Sequence, residues 1–478
     1  MSTAVEPAQP AIPHTESQAN SALSPAAARR RPWHRRRYRM AAGLAVLALL
    51  AAAVANNVLA RQYTPDGAVR QYLGALQSGN AAAAWNLIQV SALTQPPKAS
   101  LIDQAALQAA LAAAKPDIKN FNVNRATGVD ASTQVVAVSY DTSSGTKQAK
   151  FTVQQSGEKS FGLYPLWHLI IVPTILQVTL PKGSSGISVD GRALALPAGT
   201  STIAVLPLAH KVQITATQVL AGQTVPVDAF FSGGQTLTYQ PTLTAAGLDM
   251  AKGTIKAAFD QCALRTTPNA DVDGCPQTIG YSISGSGNWK VVGDPTQDIV
   301  ISFDKDMNAL AAGHYQMVFG YQEASVQGVQ HLPGSGGYSA SLTLAPNAVT
   351  VASIQRADGL PALTRPDGAS DQAAKDLVIQ AFRRCAAVRA QSVADCPQAL
   401  LSVATNVRWT LVRDPLSKAS VSFDQNTGQF TVHGNFAMTV SYIFFGYPKK
   451  DSSFNTAYVA YLFWSGQSLQ LVTISGSN

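Results

Sequence analysis

The four cysteines fall as two pairs, Cys262 with Cys275 and Cys385 with Cys396, 13 and 11 residues apart. Paired thiols can hold a metal, act as redox centres or close loops as disulfides. Metal ligation by thiols usually shows CxxC spacing or histidines nearby, and neither accompanies these cysteines. Each cysteine occupies the same place in one of two repeated segments, so the simplest pairing lies within each copy, Cys262 to Cys275 and Cys385 to Cys396. Closing a loop of that size stabilises by roughly 3 kcal/mol, in a model that counts the entropy lost by the unfolded chain. The seven histidines suggest no site by spacing. His14 and His34 precede the apolar run, and His168, beside Trp167, reads as a core or edge histidine. His210, His314, His331 and His433 stand alone near expected turns. HExxH, GxSxG, a P-loop and a strand-linked GxGxxG are all missing, so no catalytic, cofactor or metal residue is assigned.

Around the cysteines, the second half of the chain repeats at a spacing of roughly 120 residues. Ala258-Phe259-x-x-Cys262-Ala263 recurs as Ala381-Phe382-x-x-Cys385-Ala386. Cys275-Pro276-Gln277 recurs as Cys396-Pro397-Gln398, and Trp289-x-x-Val-x-Asp294-Pro295 as Trp409-x-x-Val-x-Asp414-Pro415. The register holds through Phe303-Asp304 and Phe423-Asp424 to Gly313-x-Tyr315-x-Met317 and Gly434-x-Phe436-x-Met438, so this is a tandem duplication. Asp294, Asp304, Asp414 and Asp424 recur with it, in contexts that suit turns. Each copy opens on a helical pattern, with Ala373, Leu377, Val378, Ala381 and Phe382 on one face, and changes to strand-like runs. A helix packed on an antiparallel sheet is an α+β unit, and a cystatin-like or NTF2-like roll is expected over 249–354 and again over 371–478. Residues 356–371, rich in Pro, Gly and charge, read as the linker between them.

Upstream, Thr64-Pro65 supplies an N-cap and first-turn proline, Val69, Tyr72, Leu73 and Leu76 share a face, and Gly79 stops the helix. A short helix around Trp85 and another over 101–114 follow, and then strands alternate through Val172. Three helices before a curved sheet is the order of an NTF2-like domain, expected over 61–173. Such folds can hold an acid in a conical pocket, but nothing in the sequence singles out Asp103 or Asp117 for that role. Residues 174–241 have no helical pattern. Asp190-Gly191 after an alternating run marks a tight turn, and the segment reads as a small β-sandwich.

Seven arginines and no acid lie between Arg29 and Arg39, directly before the apolar stretch Met40 to Ala60. At ~1.5 Å per residue that stretch is about as long as a bilayer core is thick, and a positive flank stays cytoplasmic. The expectation is a transmembrane helix over 40–60, a disordered Arg-rich cytoplasmic tail over 1–39, and about 418 residues outside the cytoplasm. A cleavable signal ending at Ala53-Val54-Ala55 is the alternative. Of the net charge of +8, residues 1–39 carry +5, which leaves a nearly neutral outer region with no reason to seek nucleic acid. Only 13% of residues are charged, against ~25% in ordinary domains, a composition that suits many short strands. The arginine run itself is explained as a topogenic flank that also meets anionic lipid.

A cytoplasmic segment, one membrane helix, the opening Ala68-Val-Arg-Gln-Tyr72-Leu with Ser78-Gly79-Asn80 and Ala84-Trp85, and the Val189-Asp190-Gly191 β-module together resemble the TcaA-like family of bacterial cell-envelope proteins. The resemblance covers about residues 40 to 241. It departs from the family at the N-terminus, where a zinc ribbon would need four cysteines that the chain does not have there. The duplicated Cys-Pro-Gln modules resemble the tails of actinobacterial anchored proteins. The resemblance implies envelope placement, in a protein of several α+β modules with one β-sandwich. The function expected is non-catalytic binding or scaffolding of a wall polymer or another envelope protein, without cofactor or metal, and with the bilayer as partner through 40–60. A transmembrane stress sensor signalling through the basic tail and an exported NTF2-like enzyme are the alternatives. The aromatic cluster from Tyr442 to Trp464 could line a groove, although packed strands explain it as well.

Overall fold

The computed structural model describes residues 60–478 except 115, 129, 144, 230–233, 271–273, 281–282, 284, 401–402 and 478, together with residues 44, 46–51, 53–54 and 56–57. The expected tail over 1–39 lies outside the described residues, as do 40–43, 45, 52, 55, 58 and 59 of the expected membrane segment. The described residues of that segment are helical, with Leu44, Leu47 and Leu49 each about two-thirds exposed. Among the described residues no helix is long and apolar enough to cross a membrane, and the run over 40–60 is interrupted by positions outside them. Residues 64–478 form a compact unit of their own, and every buried apolar side chain of its four hydrophobic cores comes from within it.

Mixed helix and sheet, with sheet predominating, build that unit. Its first helix, α1 (Pro65–Ser78), starts where the Thr64 hydroxyl accepts the Gly67 N–H at 3.1 Å and stops at Gly79, whose φ of 73° lets its N–H close on the Ala75 and Leu76 carbonyls. Asn80 caps the short α2 (Ala81–Trp85), and Asp103 caps α3 (Gln104–Ala113). The apolar face of α1 packs on a sheet ordered β1-β7-β6-β5-β3, built from β1 (Ile88–Val90), β3 (Phe121–Val123), β5 (Thr133–Thr142), β6 (Gly145–Ser160) and β7 (Tyr164–Ile171), with β4 (Thr127–Gly128) on β5. Val69, Leu73, Val136, Val153 and Leu169 are wholly buried between them. The strand β2 (Ala99–Leu101) leaves this layer.

Two four-stranded sheets follow. One is ordered β10-β9-β12-β13, from β9 (Ile187–Val189), β10 (Arg192–Leu194), β12 (Ala209–Ile214) and β13 (Gln223–Asp228). The other is β14-β8-β11-β2, from β8 (Thr174–Leu180), β11 (Gly199–Val205), β14 (Gln235–Leu237) and the borrowed β2. β2 lies parallel to β11, with Leu101 opposite Val205, and Leu101 and Ala106 enter the sandwich core. Without β2 the edge of β11 would be left unpaired. Segments 61–173 and 174–241 therefore share a strand.

The duplicated copies fold alike. In the first, α4 (Ala245–Ala263) packs on β15 (Gly287–Val291), β17 (Ala309–Gln322), β18 (Val329–Ala345) and β19 (Ala348–Ala357), in that order, with β16 (Val300–Phe303) also on β17. In the second, α5 (Asp371–Ala387) packs on β20 (Thr405–Arg413), β22 (Phe430–Phe444), β23 (Tyr447–Trp464) and β24 (Leu469–Ser477), with β21 (Ser420–Phe423) on β22. The repeated residues hold this fold. Disulfides join Cys262 to Cys275 and Cys385 to Cys396, each with 5.6 Å between Cα atoms. Gln277 and Gln398 each donate from Nε2 to a cysteine carbonyl at the helix end, Cys262 and Cys385, at 2.8 Å. Phe259 and Phe382 meet Tyr338 and Tyr458 edge-on at 5.0 and 4.9 Å, and those tyrosines donate to the Pro295 and Pro415 carbonyls. Asp294, Asp414, Asp304 and Asp424 accept backbone N–H groups two residues on, as turn residues do.

Candidate functional site

The two copies and the segment between them enclose a cleft of about 530 Å³. Gly313, His314 and Gln316 of β17 form one side. Asp294, Gln297 and Asp298, from the loop between β15 and β16, form the rim. Leu360 to Thr364 close one end, and Phe423, Gly428 and Trp464 bring the second copy to the opposite wall. This arrangement is pinned by specific bonds. Gln316 Nε2 donates to the Gly428 carbonyl at 2.8 Å, and Leu363 N–H donates to the Gln425 carbonyl at 2.8 Å. Gly428 has φ 68°, and a Cβ there would lie 2.9 Å from Gln316 and 3.0 Å from Leu363, so glycine allows both the turn and the approach.

Within the cleft, His314 is buried and its Nδ1 lies 2.5 Å from an Asp298 carboxylate oxygen. The other oxygen of Asp298 accepts the His314 backbone N–H at 3.2 Å. With a neutral ring this contact places the proton on Nδ1 and leaves Nε2 as an acceptor. Nearby, Asp294 accepts from Lys256 at 2.7 Å and from the Thr296 hydroxyl and amide. Burial pushes its carboxyl upward, but Lys256 and Thr296 outweigh that and hold it below the usual carboxylate range. Burial also raises the Tyr338 phenol, helped by Asp298 and Asp294. The cleft therefore offers fixed carboxylates and the pinned Gln316 carboxamide beside an aromatic and aliphatic wall. Its lining contains no serine or cysteine.

Three of the four histidines expected to stand alone are in fact paired with carboxylates. Besides His314, the buried His210 has Nδ1 2.6 Å from Asp190, and Asp190 also accepts the Lys211 N–H. His331 of β18 reaches Asp395 of the second copy at 2.6 Å. These partners lie 16, 20 and 64 residues away in sequence, beyond any local motif. One signal was present nonetheless: aligning the copies puts Asn435 at the His314 position and Lys418 at the Asp298 position, so both members of the pair differ together. His433 is exposed on β22, and His168 is half-buried on β7 opposite Gln154.

Asp103 accepts from Arg192 at 2.7 Å as well as capping α3, and Asp117, fully exposed, is held by Ser143. Among the described residues of 64–172 the buried set contains no carboxylate. The aromatic cluster divides: Phe463 is buried, Trp464 lines the cleft, and Phe445 and Tyr447 stand exposed at the β22–β23 tip. No protein-family model matches the chain. No curated protein matches it either. A solved structure described as an Ntf2 like protein involved in plasmid conjugation matches over 48% of this chain and 97% of that chain, at 9% identity and a TM-score of 0.12, too low to carry an argument about fold or function.

Proposed function

We propose that the chain is a non-catalytic, membrane-anchored binding or scaffold protein of the bacterial cell envelope, of TcaA-like type. In this reading residues 40–60 cross the membrane, the arginine-rich tail is cytoplasmic, and NTF2-like or cystatin-like modules and the β-sandwich lie outside. The intramodular disulfides support an oxidising compartment. The observation that carries the binding role is the cleft between the copies, a concave site with few, fixed polar groups against an apolar wall. Duplication alone gives two equal modules; a buried His314 held by Asp298 in one copy only gives a site with distinct sides.

Such a lining suits a ligand rich in hydroxyl, amide or amine donors, such as a segment of wall polymer. Thr364 is exposed on the cleft wall, so Thr364→Trp fills the cleft and leaves every core intact. Co-sedimentation of residues 64–478 with purified insoluble wall polymer tests the reading. The native protein should pellet, and Thr364→Trp should pellet about tenfold less, the loss of one well-made contact region. Equal pelleting of both proteins, or none by either, would sink the assignment.

A further inference from the structure

Two hairpins carry the same anomaly. The β6–β7 hairpin turns through Phe161-Gly162, with φ of 51° and 68°, and the β22–β23 hairpin through Phe445-Gly446, with φ of 48° and 82°. Both are turns with two left-handed residues, where Asn, Asp or Gly is favoured at the first position and a bulky side chain is strained. Phe161 and Phe445 are each 78% exposed, so neither is placed for the benefit of a core. Burial accounts for neither ring, so the residues around each tip decide whether it faces a partner.

At the β22–β23 tip the surroundings identify that partner. Phe444 packs edge-on to Phe445 at 4.5 Å, and Tyr447, paired with Phe444 in the ladder, is 72% exposed. Behind this aromatic tip, Lys449 stands opposite Tyr442 and Lys450 opposite Ser441, so the two ammonium groups project from opposite faces of the ribbon. Both are exposed, and among the described residues no carboxylate pairs with either. The adjacent Asp451 accepts the Tyr442 hydroxyl at 2.5 Å. Two residue pairs of an antiparallel ribbon span about 7 Å, which separates the aromatic tip from Lys449 by roughly the depth to which interfacial elements enter a bilayer.

We propose that the β22–β23 tip is a membrane-docking element, with Phe445 and Tyr447 entering the interface of an anionic bilayer, Phe444 packed behind them against the core, and Lys449 and Lys450 meeting its phosphate headgroups. Aromatic rings favour the headgroup boundary, and lysines flanking them add attraction to acidic lipid. The β6–β7 tip has the same strained, exposed phenylalanine but is flanked by Glu158 and Lys159, so it lacks the charge for this role. It is therefore an internal control. The proposal does not depend on the anchor or the cleft, because residues 64–478 contain the tip and hold all four cores.

The test is flotation of residues 64–478 with vesicles of phosphatidylcholine alone or mixed with phosphatidylglycerol. The native protein should float with the anionic vesicles and lose that binding in high salt. Phe445→Asn should weaken it about tenfold or more, the scale of removing one buried aromatic ring, and Lys449→Glu with Lys450→Glu should abolish it. Phe161→Asn should float like the native protein. Phe445→Asn should also melt no lower than the native protein, since asparagine accepts the left-handed turn; this separates lost docking from lost folding. Absence of native flotation, unchanged flotation of Phe445→Asn, or equal losses in both Phe→Asn variants would overturn the proposal, the last by showing general stickiness.

Discussion

Asp395 holds a left-handed φ of 60° in the loop before Cys396, and its carboxylate takes both the backbone N–H and the ring Nδ1 of His331 in the other copy. That hydrogen bond raises the His331 pKa above its ordinary value, against burial and the repulsion of Lys290; Arg384 shares the same hollow. A histidine whose folded pKa is raised contributes stability that is full below about pH 6.5 and is lost as pH rises through the folded value. The ring is 40% exposed, so the effect is small, under about 1 kcal/mol. The difference in melting temperature between native protein and His331→Gln should be larger at about pH 5.5 than at about pH 8.5; a difference that does not narrow with rising pH would count against the ion pair. This pairing was illegible in the sequence because Asp395 is 64 residues away and belongs to the other copy. The cysteines were legible because their partners lie within one repeat. The turn aspartates were legible because an Asx turn is local.

Among the elements, the duplicated sheets were written plainly, since helix periodicity, strand alternation and recurrent spacing all agreed. What the pattern omitted was tight backbone approach. A Cβ on Gly313 would meet the Tyr338 ring at 3.1 Å, and one on Gly434 would meet the Tyr458 ring at 2.7 Å. Each tyrosine is fixed by its bond to a proline carbonyl, and burial pushes the Tyr458 phenol up to about 12. Gly434→Ala should therefore destabilise by about 1–3 kcal/mol, and Gly313→Ala by less. Chemical denaturation of both variants checks the order, and equal effects would mean that the rings can move freely. Hairpin turns divide similarly: Asp190-Gly191 announces itself, with φ of 53° and 82°, whereas Phe445-Gly446 adopts the same turn with a residue that no turn rule favours.

For the whole molecule, protease treatment of intact cells carrying tags at both ends tests placement. On the anchored reading the C-terminal tag is shaved and the N-terminal tag is protected, and reduction of the two disulfides increases cleavage within 245–478. A soluble product lacking the N-terminal tag would leave a secreted protein instead. The helix-then-sheet order within each duplicated copy could be read from periodicity, but the cleft between the copies could not. It depends on Gln316 meeting Gly428 across 112 residues, a contact between elements that share no pattern.

β2 adds a matter of timing. Residues 99–101 wait for 203–205, and Lys98 N–H waits for the Thr202 carbonyl, so about a hundred residues must leave the ribosome before this strand finds its mate. Until then the loop through Pro96-Pro97 is held at its start, where Ser91 bonds the Ile171 carbonyl, and not yet at Lys98. The helix-backed sheet and the sandwich are therefore coupled through β2. A chain cut near residue 173 would strand β2 without a partner, whereas each duplicated copy is closed by a bridge of its own.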